Sequence, residues 1–165
     1  MTQIHGFQWD STDVLPFTPA LQALYANGRF RSPLHYGKGK VFIDVTGGMP
    51  NGAMWLDVER FDATIADVPG WLDERARFGE GGIYCNRDVL PAVEQAAGGR
   101  PHLLWIATLD GTMDVTLPPG HGHLVAVQAF PATWLPVHAD LSVVVDAAYW
   151  VKHANEPGAA GHPAA

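Results

Sequence analysis

Acidic side chains that close apolar runs are the residues of this sequence best suited to chemistry. The run Trp55-Leu56-Asp57-Val58-Glu59 ends in two carboxylates two positions apart, and because side chains alternate along a strand, both project from one face. Asp44 follows Val41-Phe42-Ile43, Asp10 ends Ile4-His5-Gly6-Phe7-Gln8-Trp9, and Asp140 opens Asp140-Leu141-Ser142-Val143-Val144-Val145. If these strands converge, their carboxyl ends form the crevice where active sites sit in barrels and open parallel sheets. Several acids on one rim raise the pKa of at least one of them and leave a neutral acid beside an ionised base, the pairing that cleaves glycosidic bonds. The plainer alternative is that each acid caps the helix after its strand or stays solvated.

Aromatic residues fall on the same segments. Trp9, Trp55, Tyr84 and Trp105 lie near the proposed rim, where flat rings with a polar handle stack on sugars, although six tryptophans also serve as core material. Other signals are weaker. His121-Gly122-His123 brings two imidazoles to a Gly/Pro-rich loop, too few ligands to close a metal site, so no metal is expected. Cys85 reads as a small apolar filler. The glycines of Thr46-Gly47-Gly48 and Gly79-Glu80-Gly81-Gly82 match no dinucleotide or phosphate-binding fingerprint, and no Gly-x-Ser-x-Gly elbow occurs.

The elements that must position these residues alternate between short apolar runs and helical patterns, which argues for an α/β fold. The strand candidates are Ile4 to Asp10, Lys40 to Thr46, Ala53 to Glu59, Gly82 to Asn86, His102 to Leu109, Leu124 to Phe130 and Asp140 to Val145. Helices are expected from Thr18-Pro19 to Asn27-Gly28, from about Asp67 with Trp71, Leu72 and Phe78 inward, and from Asp88 to Ala97, ending at Gly98-Gly99. Only Gly47 to Gly52 separate the second and third strand candidates. A parallel crossover needs about a dozen residues, so these two strands are expected to form a hairpin or not to be neighbours.

Composition bounds the partners. The 165 residues are 47% hydrophobic and 16% charged, enough for one domain that buries about two thirds of its unfolded surface. Ten Lys plus Arg against 17 Asp plus Glu give a net charge of −7, without a basic run to neutralise phosphates, so nucleic acid is not an expected partner. No apolar stretch approaches the roughly 18 residues of a membrane span. The first residues lack the basic start and apolar core of a signal peptide, which leads us to expect synthesis in the cytoplasm without a secretion signal of its own. Residues 1–153 are expected to form the domain and residues 154–165, which lack a large apolar side chain, a flexible tail.

Taken in order, several of these segments resemble the glycoside hydrolase family 25 lysozymes, barrel-type muramidases of phage endolysins and bacterial secretions. Leu56-Asp57-Val58-Glu59 is similar to the family's Asp-x-Glu strand end, Gly82-Ile83-Tyr84-Cys85-Asn86 to its Tyr-containing strand, and Leu104-Trp105-Ile106-Ala107 to its Trp-x-Ala strand. Val127-Gln128 and Ala139-Asp140-Leu141-Ser142-Val143 resemble its last two strands. The resemblance implies hydrolysis of the link between N-acetylmuramic acid and N-acetylglucosamine in peptidoglycan glycan strands, without a cofactor. Glu59 would be the general acid, Asp57 would stabilise positive charge or orient the substrate's acetamido group, and Asp140 and Asp10 would fill the other acidic positions. Asp44, Tyr84, Trp105, Gln128 and Gln8 would contact substrate. Two departures stand out. Gln8 occupies the place of a catalytic Asp in the family's Gly-x-Asp-x-Ser opening, so either Asp10 substitutes or the site is impaired. The stretch from Asp10 to Asp57 is also too short for the usual strand–helix units, implying a shortened or incomplete TIM-type (β/α) barrel. The alternative function is a non-catalytic glycan-binding or structural module of a phage particle, with other virion proteins as partners.

Overall fold

Eight short stretches rich in β-branched, aromatic and aliphatic residues form strands in the computed structural model, which describes residues 3–31, 39–48, 52–120 and 122–154. They are β1 (Gly6–Ser11), β2 (Leu21–Tyr25), β3 (Gly39–Asp44), β4 (Trp55–Val58), β5 (Gly82–Asn86), β6 (His102–Ala107), β7 (Gly122–Pro131) and β8 (Ala139–Val144). Neighbours in sequence are neighbours in the sheet, and the sheet closes on itself. The first seven strands run parallel, whereas β8 is antiparallel to both β7 and β1. The chain is therefore an α/β protein built on a closed, mixed eight-stranded barrel.

That closure corrects the expectation of an incomplete barrel. No strand is missing from the ring. What is short is the set of connections: among the described residues the α-helices are α1 (Val68–Arg75), α2 (Leu90–Ala97) and α3 (Ala147–His153), and none follows β1, β2 or β3.

The link from β3 to β4 corrects a second expectation, because these strands are parallel neighbours. Their pairing covers only Ile43 with Trp55 and Asp44 with Leu56, extended by a hydrogen bond from Met54 N to Phe42 O of 3.0 Å. β4 starts beside the end of β3, so the chain descends only roughly 7 Å at the ordinary rise of a strand instead of returning a full strand length. A helix is unnecessary for so short a descent.

The expected helix from Thr18 is strand β2. Leu21 to Leu24 are buried on both faces, so the apolar spacing at Leu21, Leu24 and Tyr25 matched a helix without requiring one. The other two expected helices form. α1 buries Val68, Trp71 and Leu72, although Phe78 lies beyond its end and is exposed. α2 buries Leu90 and Val93 and stops at Gly98 in a left-handed conformation, with φ of 58°.

Helix α3 was not anticipated. Asp146 caps it by accepting a 2.6 Å hydrogen bond from Tyr149 N. Tyr149 and Trp150 then plug the end of the barrel opposite the strands' carboxyl ends: the Tyr149 hydroxyl donates to Gln8 Oε1 at 2.7 Å, and the Trp150 ring lies 2.6 Å from where a Cβ on Gly6 would stand. Gly6 is required because an indole occupies its side-chain space. The expected tail lies outside the described residues except Ala154, which is buried against the inner core.

The strand alternation thus produces two apolar layers. Inside the barrel, Trp55, Trp105, Tyr84 and Tyr149 pack mainly edge-to-face. Outside it, Leu56, Ile83, Leu104 and Ile106 face α1 and α2, each such side chain contributing about 1.5–3 kcal/mol by burial. Cys85 belongs to this outer layer, where burial pushes its thiol up to about 12. Among the described residues no helix is long and apolar enough to cross a membrane.

Candidate active site

With the far end plugged by aromatic rings, polar side chains on the inner face collect at the carboxyl ends of the strands. On β1 the inward positions are Gly6, Gln8 and Asp10, ascending from plug to rim. Asp10 stands directly across the β1–β8 ladder from Asp140, and like charges in that relation repel. On the other side of the ring, Asp57 is registered beside Tyr84 and Tyr84 beside Trp105. Glu59 follows one residue past the end of β4.

A hydrogen-bonded chain joins the two sides. Tyr84 bonds through its hydroxyl to Gln128 Oε1, Gln128 Nε2 donates to Asp10 Oδ2 at 3.3 Å, and Asp140 N donates to Asp10 Oδ1 at 3.2 Å. Asp57 is 2% exposed and its Oδ1 has no hydrogen-bond partner. Asp57, Glu59 and Asp62 each bring an oxygen to within 4.8 Å of the others, and they are the group of described residues that could hold a hard cation.

Burial raises every acid here, and repulsion from neighbouring carboxylates adds to it for Asp10, Asp57 and Glu59. Burial is the larger cause for Asp10, which is held well above the usual carboxylate range, with Asp140 and Glu59 adding to it against backbone hydrogen bonds. Asp57 is also held well above that range, by burial and then by Glu59, Asp62 and Asp10. Glu59 is raised by burial, Asp62 and Asp140, against the Tyr84 hydroxyl. Asp140 is raised by burial against a backbone hydrogen bond from Ala132. Such a cluster shares protons, so its acids give them up in successive steps and not together.

Two cavities open over the cluster. One, of about 610 Å³, is lined by Asp10, Tyr25, Glu59, Tyr84, Gln128 and Asp140 among others. The other, of about 780 Å³, lies over Glu59 to Asp62 and the start of the loop after β5. Glu59 and Asn86 line both.

Of the residues singled out from sequence, Asp10, Glu59, Tyr84, Gln128 and Asp140 share one cavity, with Asp57 beneath. Three others do not reach it. Asp44 is fully buried and accepts from Asn27 Nδ2 at 2.8 Å, Thr46 N at 2.8 Å and Gly47 N at 3.1 Å, tying together the loops after β2 and β3. Trp105 is 0% exposed and donates to Ser142 Oγ at 2.8 Å, so its ring is core and offers no sugar face. Gln8 lies one inward position below Asp10 and bonds Tyr149. Trp55 is likewise core, and Trp9 packs on Phe17 with ring centroids 5.0 Å apart. His121 lies outside the described residues, and His123 pairs with the α3 cap Asp146 at 2.8 Å.

Asp62, Tyr25, Asn86, Phe61 and Leu109 escaped the sequence reading. Tyr25 was hidden by its assignment to a helix. Phe61 and Leu109 are the non-glycine residues at positive φ among those described, at 79° and 55°. Both line the cavities, and no periodic pattern signals a strained loop residue.

No protein-family model and no curated protein matches the chain. A solved structure described as an uncharacterized B. stearothermophilus protein, a crystal structure at 1.07 Å, is similar with a TM-score of 0.61 at 14% identity, covering 84% of this chain and 95% of that one. The likeness is one of fold.

Proposed function

We propose that the protein hydrolyses glycosidic bonds by acid catalysis, with the glycan strands of peptidoglycan as substrate, in the manner of a muramidase. The observation that carries this reading is the position of Glu59: a half-buried carboxyl with a raised pKa, backed by Asp57 and Asp62, on the wall common to two cavities. A polymer laid across both would place a glycosidic oxygen at that wall.

Glu59 donates its proton to the leaving oxygen, and the charged members of the cluster stabilise the positive charge that develops on the sugar. Asp57 is placed below Glu59 to do this or to orient an acetamido group. With oxygens of Asp57 and Glu59 within 4.8 Å, the pair is closer than the roughly 6.5–9.5 Å that accommodates the attacking water of an inverting enzyme. Retention of anomeric configuration is then reached in two displacements: the substrate's acetamido oxygen, oriented by Asp57, bonds to the anomeric carbon as the bond to the leaving oxygen breaks and that oxygen takes the Glu59 proton, and Glu59, now a carboxylate, takes a proton from the water that attacks the same carbon and frees the acetamido group. At the finer level of fold, we read the molecule as a shortened TIM-type barrel, supported by seven parallel strands and by acids at their carboxyl ends.

A second reading, a non-catalytic glycan-binding or virion module, is favoured by Gln8, an amide bonded to Tyr149 where the resembling lysozymes have a catalytic carboxylate. Release of reducing ends from purified peptidoglycan separates the two. Cleavage that drops at least about 100-fold in Glu59→Gln, the loss expected for a general acid, supports the enzyme; binding without cleavage by the parent protein supports the module.

A further inference from the structure

Main-chain hydrogen bonds bring the carboxylates of Asp57, Glu59 and Asp62 together. Ala63 N donates to Asp57 O at 3.1 Å and Asp62 N to Glu59 O at 3.2 Å, folding the chain after β4 into a turn that passes through Phe61 at φ of 79°. The turn sets Asp62 beside the strand end, so that each of the three residues brings an oxygen within 4.8 Å of the others. Like charges at that spacing repel, and the bonds that hold them there belong to the backbone.

Among the described residues no Lys, Arg or His closes an ion pair with any of the three, although Asp13, Asp73, Asp110 and Asp146 each have such a partner. Arg29 acts on Asp62 from beyond salt-bridge distance. Acids gathered at a surface can simply stay solvated, and proximity alone would assign nothing. Asp57 sets this cluster apart: it is 2% exposed, and its Oδ1 is buried without a hydrogen-bond donor. A carboxylate removed from water is ordinarily hydrogen-bonded, paired with a cation or bound to a metal.

Ligand type and spacing select the ion. Three carboxylates without a His or Cys suit a hard cation. Oxygens up to 4.8 Å apart share a point no more than about 2.8 Å from each, the centre of the widest triangle they can form, a few tenths of an ångström from calcium–oxygen contacts of about 2.3–2.6 Å. Magnesium needs about 2.0–2.1 Å in a near-ideal octahedron and usually takes only one or two carboxylates. Glu59 and Asp62 line the cavity of about 780 Å³, which gives water access to the remaining coordination positions.

We propose that Asp57, Glu59 and Asp62 form a calcium site at the open end of the barrel, its coordination completed by water. The site stands on its own geometry and does not require the glycosidase reading. Where both hold, the ion takes the Glu59 oxygen that would carry the catalytic proton, so bound calcium and cleavage exclude one another.

The test is a calorimetric titration of the chelator-treated, full-length protein with calcium chloride at pH 7, alongside its thermal unfolding. We expect one calcium per chain with a Kd below about 1 mM, at least about tenfold weaker binding of magnesium, and a Tm that rises with calcium. Asp57→Asn and Asp62→Asn preserve side-chain size and should each weaken calcium binding at least about tenfold. Asp88→Asn, which alters an acid of the same cavity outside the cluster, should leave it within about twofold. Absence of one-to-one binding at that strength, binding that both cluster variants retain, or an equal loss in Asp88→Asn overturns the site; magnesium binding as tight as calcium overturns the choice of ion. If the parent protein releases reducing ends from peptidoglycan, saturating calcium should slow release at least about tenfold, reversibly with chelator. Unchanged release with calcium bound overturns the exclusion and leaves the glycosidase reading intact.

Discussion

At the scale of the residue, the cluster of Asp10, Asp57, Glu59 and Asp140 has opposite consequences for stability and for chemistry. Asp10 and Asp57 retain protons in the folded protein at pH values where the unfolded chain has lost them. At these two positions the folded state binds more protons, so their contribution to stability is greatest below the ordinary carboxylate range and is lost as pH rises through the raised values. Asp57→Asn removes the repulsion and supplies an amide that can donate to Glu59 or Asp62. It should stabilise the protein at pH 7 by about 1–3 kcal/mol, the scale of an unsatisfied buried polar group, with the gain shrinking toward pH 4 in urea denaturation, while weakening cleavage. A neutral-pH loss of stability would contradict the burial argument. If the protein cleaves as proposed, the proximity of Asp57 and Glu59 predicts retention: proton NMR of the first products should show the retained anomer, and an initially inverted product would rule out the proposed pairing.

At the scale of the element, Asp44 ties the chain just after β2 to the chain just after β3 through Asn27, Thr46 and Gly47. Asp44→Ala should cost about 3 kcal/mol, because several buried donors lose a charged acceptor, and should reduce cleavage only as far as it unfolds the protein. Helix α3 has the corresponding role at the closed end. Trp150→Ala should cost about 3–5 kcal/mol in urea denaturation, whereas a helix that merely rested on the barrel would lose much less. How far such elements could be read from sequence depended on how many faces each buries. β5 and β6 were legible as continuous apolar runs, and α1 and α2 from proline starts, apolar stripes and, in α2, a glycine stop. β2 was not, since a strand buried on both faces carries no period of two. The parallel entry of β4 depended on a register that chain length alone does not reveal, and α3 is a short helix of about two turns followed by chain with no large apolar residue. Asp57 and Glu59 were legible because a spacing of two survives any rigid strand; Asp62 and Phe61 sit on a turn whose strained geometry has no sequence period.

At the scale of the whole molecule, a barrel plugged at one end by Tyr149 and Trp150 and open at the other concentrates polar groups where the strands end. Its acidic net charge and its acidic mouth set a shared pH demand. Because the pKa of Glu59 is raised by burial and by Asp62 and Asp140, the proton that the proposed cleavage requires is held further up the acidic range than an ordinary carboxyl would hold it, and is lost as pH rises. The most direct measurement is the rate of reducing-end release from peptidoglycan as a function of pH, in the parent protein and in Glu59→Gln. The expected result is a parental rate highest at mildly acidic pH that declines as Glu59 ionises, and a loss of at least about 100-fold in the variant; a Glu59→Gln protein that cleaves at the parental rate, with the parental pH profile, would contradict the assignment of Glu59 as the acid.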